Sequence, residues 1–388
     1  MKTGRTLTEM AQEIERQQKS KQDFIVSTEK LSFSLPGAQR TEAGFVEGYN
    51  AVQSAELPWT APNKNKPTMS FIAPSGIVNY AITPHTHRQI SAHLKDQTKM
   101  PKDYYDHLYA KHPDLLSVMV NTLFRRNRSA RLVRTLDGNA RAFLSNRYRP
   151  IDNSDVAETA LNILMDSQAN IASCEITESK MYLKALFPKT EGEISKGDVV
   201  QMGVVIKNSE IGLGRFVVEP LIYRLVCLNG MIMQDGAIAR THLGGRQDVG
   251  ADGWATEFKV DTLRAMDRTL MLQVRDAISA LATPQKLQSF VDKFKMAAER
   301  KMEGDVVAGV QVLQKKAGFT DEDKGGILRH LISGGDLSQW GLANAITRYS
   351  QDVDDYDKAT DFEMLGGQII ELKPTDWTAI ATATTRAA

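Results

Sequence analysis

Cysteine is nearly absent. Cys174 and Cys227 are the two in 388 residues, too few for a disulfide framework; each sits in a strand-like stretch, and both are expected as buried thiols of a reducing compartment. No run approaches the roughly eighteen apolar residues of a membrane span. The start, Met1 to Thr6, leads into a polar helix rather than an apolar signal core, so the expected location is cytoplasmic, with no membrane contact. A surplus of charge is missing too: 48 basic against 47 acidic residues give no global field to steer the chain to a partner, so any electrostatic specificity is local. Neither a Ser-His-Asp nor a Cys-His arrangement follows from linear spacing, no carboxylate pair stands at nuclease spacing, and no internal repeat appears. Catalytic residues, bound metal and cofactor are therefore all expected as none.

What is present is an ordinary globular composition, 42% hydrophobic and 24% charged, on a chain long enough for two or three structural units. A charged helix is predicted from Leu7 to Phe24, then a polar stretch to about Thr68 whose prolines and lysines suggest an extended arm or linker. From Thr86 the texture is helical as far as Phe124, with breaks at Pro101 and Pro113. The period then switches to two on either side of Asp137-Gly138, which signals a hairpin. A helix capped around Asn153 follows, then three strands, at about Ile171 to Phe187, Asp198 to Lys207 and Arg215 to Met233. Helices are predicted from Glu257 to Leu281, Pro284 to Met302, Val306 to Lys316, Asp321 to Ile332 and Leu337 to Tyr349. The predicted class is α+β: a β-hairpin, a helix and a three-stranded antiparallel meander as core, with helical N-terminal and C-terminal parts. Residues 1–84 are read as helix and arm, 85–255 as the core, and 256–388 as a helical part with an acidic segment.

The hairpin carries the densest charge. Arg125, Arg126, Arg128, Arg131, Arg134, Arg141, Arg147 and Arg149 stand against one acid, Asp137, for a formal charge of +7 over 25 residues. Clustered like charges repel unless a partner or folded acids offset them. Arginine matters here because its planar fork binds phosphate bidentately and stacks on bases. On an ideal strand Arg141, Phe143, Ser145 and Arg147 share one face, which makes Phe143 the stacking candidate and Tyr148 the core candidate. The competing reading pairs these arginines with scattered carboxylates on a solvated sheet face.

Other constellations read more blandly. His85 and His87 lack a third metal ligand at a recognisable spacing. Gly212 and Gly214 suit a hairpin turn better than a phosphate loop, because a strand follows them; Lys207 and Arg215 at the base of that turn would extend the basic surface. Asn229, before Gly230, is expected to bond its own turn. The glycine-rich loop from His242 to Arg246, with Asp248 and Asp252, reads as a linker or a mobile nucleic-acid-facing segment. Asp352, Asp354, Asp355, Asp357, Asp361 and Glu363 against Lys358 give −5 near the C-terminus, by default a solvated helix face, alternatively a docking patch for a basic segment.

Several of these runs resemble one family. Arg134 to Gly138, Arg141 to Asn153, Lys207 to Gly212, Arg224 to Gly230 and Trp340 to Thr347, with Gln89 to Leu94 and Pro101 to Tyr105 upstream, are similar to the phage/plasmid-like family catalogued as domain of unknown function 932, over roughly residues 85 to 350. The resemblance implies a gene of phages, prophages or plasmids in a bacterial host and supplies no catalytic residues. By analogy of element order alone, the core is also similar to single-strand annealing proteins of the Redβ and Erf type, which assemble as rings or filaments. The leading expectation is thus a non-enzymatic homo-oligomer that binds single-stranded DNA in recombination through the arginines, Phe143, Lys207 and Arg215. The alternatives are a metal-dependent nuclease or nucleotide-processing enzyme using His85, His87 or the loop from Asp248 to Asp252, and a counter-defence protein whose arginines face an acidic host partner.

Overall fold

The computed structural model describes residues 1–36, 66–240 and 260–384, and these form an α+β protein of two compact units. Among the described residues, one unit comprises those from Ile14 to Pro150; the other comprises Met1–Glu13 and those from Ile151 onward. The division therefore falls at residue 151 rather than near 85 and 256. It separates the hairpin from the meander because the hairpin's strands pair with N-terminal strands instead.

In the unit around 14–150, a six-stranded mixed sheet runs β1 (Gln22–Ser27), β5 (Ala130–Leu136), β6 (Asn139–Ser145), β4 (Gly76–Ile82), β3 (Thr68–Ala73), β2 (Ser32–Ser34). Every pairing is antiparallel except β4 with β6. Helix α1 (Leu7–Ser20) stops before Gln22, so part of the predicted N-terminal helix and arm is strand; residues 37–65, with Leu57-Pro58-Trp59, lie outside the described residues. The outermost strands, β1 and β2, are consecutive in sequence, with four residues between Ser27 and Ser32. Those five steps reach at most ~17 Å, whereas six strands laid flat would hold their outer members ~24 Å apart. The sheet must curl.

Three helices serve this sheet: α2 (Pro84–Thr98), α3 (Lys102–Lys111) and α4 (Pro113–Arg126). Thr83 caps α2 by accepting from Thr86 N, and Pro84 fills the first turn, where a missing N–H costs nothing. Leu116, Val120 and Phe124 recur every fourth residue on α4 and pack with Phe33, Phe71, Val133 and Phe143 in the core. Beside that stripe, Asn121 accepts from Phe33 N at 2.8 Å and donates to Phe33 O at 2.8 Å, while Ser117 Oγ accepts from Leu35 N at 3.1 Å. Helix side chains thus satisfy the outer edge of β2, which would otherwise be a buried row of orphaned peptide groups.

The other unit is built on a second sheet, in the order β11 (Asn229–Ile232), β10 (Phe216–Arg224), β9 (Val199–Asn208), β8 (Met181–Glu193), β7 (Asn170–Ile176), with β12 (Ile238–Arg240) also on β10. All its pairings are antiparallel. The predicted first and third strands each contain a turn, so the expected three-stranded meander is a run of five consecutive strands. Val200 to Ile206 on β9 are all buried, Gly203 included, which is why no alternation marks this central strand.

Helices surround this sheet: α5 (Asn153–Asp166), α6 (Val260–Leu281), α7 (Pro284–Glu299), α8 (Val306–Ala317), α9 (Asp321–Gly334), α10 (Gln339–Tyr349), α11 (Tyr356–Ile370) and α12 (Pro374–Ala381). The last two are absent from the sequence reading. Helix α10 is buried from Gln339 through Thr347 and is the central helix of this unit. Helix α11 lies against β11 through Gly367, where a Cβ would come within 2.0 Å of Ile232 O. Among the described residues no helix is long and apolar enough to cross a membrane.

Candidate functional site

The hairpin turn lies where the sequence puts it. Asp137 and Gly138 take φ of 50° and 73°, the left-handed pair that a two-residue turn between twisted strands requires. At this end Asp137 accepts from Arg16 Nη1 at 2.9 Å and Ser20 Oγ at 2.6 Å, so its charge is compensated by α1. The register pairs Arg131 with Ser145. Consequently Arg125, Arg126 and Arg128 on the way into β5, Arg131 at its start, and Arg147 and Arg149 on the way out of β6 all gather at the opposite, open end.

Arg126, Arg128 and Arg147 are exposed there, and Arg125, Arg131 and Arg149 half-buried. Glu29, in the turn between β1 and β2, accepts from Arg128 Nε at 2.8 Å. Arg131 lies 5.4 Å from the Phe143 ring centroid and against the His93 ring. Burial, then the neighbouring Arg131 charge, pushes the His93 pKa down to about 4, so this imidazole is neutral near pH 7 and adds no repulsion.

Three of the predicted contact residues are inside the fold. Arg134 is wholly buried and gives Nε to Asp23 Oδ1 at 2.9 Å. Arg141 is buried at a β-bulge: Arg134 pairs with Ala142 and Thr135 with Ala140, so Arg141 is the extra residue. That insertion breaks the period-two alternation, and Ala140 and Phe143, three apart, both join the core. Phe143 is therefore a core ring, stacked on Phe124 at 5.7 Å, with its freed N–H given to Gln89 Oε1 at 2.7 Å. Tyr148, the expected core residue, is half-buried.

Lys207 and Arg215 belong to the other unit. Lys207 is paired with Glu219 at 2.5 Å, and Arg215 is exposed beside the turn whose Gly212 takes φ of 77°. His87 accepts or shares a proton with Tyr105 Oη at 2.9 Å among aromatic rings, and burial lowers its pKa to about 4; it is a core histidine. Among the described residues no group of His, Cys, Asp and Glu is arranged to hold a metal. The loop from His242 through Asp248 to Asp252 lies outside them.

Sequence reasoning missed a second constellation, in the unit of the second sheet. Two of the quoted runs, more than a hundred residues apart, meet at its centre. Asp198 Oδ1 accepts from Arg224 Nε at 2.5 Å and Oδ2 from Trp340 Nε1 at 3.1 Å, while Arg224 lies 5.8 Å from the Trp340 ring centroid. Close by, Asn229 donates to Asn344 Oδ1 at 3.2 Å and Thr347 Oγ1 at 2.5 Å. Asn229 thus ties β11 to α10 instead of closing its own turn; the turn is Leu225 to Leu228, with Leu228 at φ 54° and Cys227 in it rather than in a strand. A cleft of about 770 Å³ opens over Arg224, between the β8–β9 turn and the end of α7.

A family model described as Domain of unknown function (DUF932) matches residues 142–363, more than half of the chain. The chain belongs to the DUF932 family. No curated protein and no solved structure matches the sequence. Every residue lining the cleft falls inside the DUF932 stretch, whereas the open arginine end straddles its start: Arg147 and Arg149 lie within it, and Arg125 to Arg131 precede it. The similar runs at Gln89 to Leu94 and Pro101 to Tyr105 also precede it.

Proposed function

We propose that this DUF932 protein binds single-stranded nucleic acid, DNA foremost, through the arginine end of its hairpin, and works as a non-enzymatic homo-oligomer in recombination or strand annealing for a phage or plasmid in the bacterial cytoplasm. The observation that carries the reading is the convergence of Arg125, Arg126, Arg128, Arg131, Arg147 and Arg149 at one end of the sheet, where Arg128 pairs with Glu29. Like charges gathered this closely are stabilised by a polyanion, and guanidinium groups grip phosphates in a bidentate fork.

Because Phe143 is in the core, the contact falls on the phosphate backbone rather than on a stacking platform. Such a surface reads no sequence and leaves the bases outward, as pairing with a second strand demands. Electron microscopy with and without single-stranded DNA tests this: a ring or helical filament is expected on DNA, together with retention of a fluorescent oligonucleotide that Arg126→Ala with Arg147→Ala weakens. A protein indifferent to DNA in both assays would sink the proposal.

A further inference from the structure

The cleft over Arg224 is a second site, independent of the arginine end, and we infer that it takes a phosphorylated nucleoside. Its floor is a fixed guanidinium. Arg224 gives Nε to Asp198 and Nη1 to Cys227 Sγ at 3.3 Å and faces the Trp340 ring, so its plane is held while Nη2 makes no hydrogen bond with a described residue. Lys196 and Lys295 stand exposed at the rim and form no ion pair with a described residue.

The carboxylates in the cleft are mostly committed elsewhere. Asp198 holds Arg224 and Trp340, and Asp336 accepts from Lys301 at 3.1 Å and from Ser338 Oγ at 2.9 Å. Glu299 alone among the lining acids is exposed and forms no ion pair with a described residue, against two such lysines and the open edge of Arg224. The local field therefore favours an anion. Size and surface then narrow the class. About 770 Å³ suits a small organic molecule and is far too large for a lone phosphate. Val226, 60% exposed, gives the lining an apolar strip on which a planar base can lie beside the cationic rim. A phosphate joined to a flat, weakly polar ring satisfies both halves.

Two sources carry this chemistry: a free nucleotide and the 5′-phosphorylated end of a strand. The full-length protein is titrated with a fluorescent ATP analogue, then challenged with ATP and with oligonucleotides that carry a 5′-phosphate or a 5′-hydroxyl. Saturable binding is expected, weakened about tenfold or more by Lys196→Ala with Lys295→Ala, whose exposed sites leave the fold intact. It is expected to be unchanged by Lys315→Ala and retained in the Arg126→Ala, Arg147→Ala protein, which separates this site from the arginine end. Arg224→Lys, which keeps the charge but loses the held fork, should weaken it as well. Displacement by ATP assigns the free nucleotide; displacement by the 5′-phosphorylated strand but not its 5′-hydroxyl twin assigns the strand end. Absence of saturable binding, or binding that survives the double lysine variant undiminished, overturns the inference.

Discussion

Salt offers a quantitative handle on the arginine end. Each phosphate neutralised on a single strand contributes about −0.7 to the slope of log K against log salt. Arg126 and Arg147 are exposed, and no described carboxylate pairs with either, so in the proposed complex each would supply a whole contact. Arg128 shares its guanidinium with Glu29 at 2.8 Å, and Arg125, Arg131 and Arg149 are half-buried. Two to six contacts give a slope between about −1.4 and about −4. Arg126→Ala with Arg147→Ala should flatten it by about 1.4, whereas Glu29→Gln, by releasing Arg128, should steepen it by up to about 0.7 and tighten binding. Fluorescence anisotropy of a labelled single strand, from about 50 to about 200 mM potassium chloride, measures all three. A slope shallower than about −1, or one that the double variant leaves unmoved, would refute the assignment of these side chains to phosphates.

Stability predictions follow from the buried polar groups. Asn121→Ala strands the N–H and C=O of Phe33 and is expected to cost about 2–5 kcal/mol, seen in urea unfolding and in faster amide exchange across Ser32 to Leu35; a loss under about 0.5 kcal/mol would mean that β2 finds other partners. Lys184 and Glu363 are a fully buried pair at 2.5 Å. Lys184→Met alone should cost about 3–5 kcal/mol, and adding Glu363→Gln should recover most of it, as compared by thermal melts. Burial pushes the Asp323 carboxyl up, but hydrogen bonds from Lys358, Thr320 and Tyr349 outweigh it and hold the pKa at about 2, below the ordinary 3.8. The stabilisation from this depressed pKa is present above about pH 4 and lost as pH falls through about 2; Asp323→Asn should therefore cost about 2 kcal/mol at neutral pH, with the difference from the parent protein closing in acid.

Local signals were legible and long-range ones were not. Asp137-Gly138 announces its turn because the required left-handed conformations belong to those two residues. The helices from Pro284 to Tyr349 could be read from their caps and stripes. The bulge at Arg141 leaves no mark in the linear text, so a pattern that looks like one arginine-lined face is split: Arg134 and Arg141 go inside, and Phe143 with them. Likewise β3 and β4 were missed, since their alternation is interrupted at Pro74-Ser75-Gly76 and their partners lie far along the chain. The acidic run looked like a surface patch by composition. In the fold Asp352 meets His330, Asp355 caps α11, Asp357 accepts from Thr177 and Glu363 meets Lys184. The cleft needed Asp198, Arg224 and Trp340 brought together, which spacing alone does not reveal.

The short link between β1 and β2 has a bearing on how the arginines are presented. A sheet whose two outer strands are consecutive in sequence has no free flap: peeling either one drags the other, through four residues, against the helix that seals its edge. Glu29, which sits in that link, pairs with Arg128, so the arginine end of the hairpin is tied to the segment that couples the two outer strands rather than to a frayed margin.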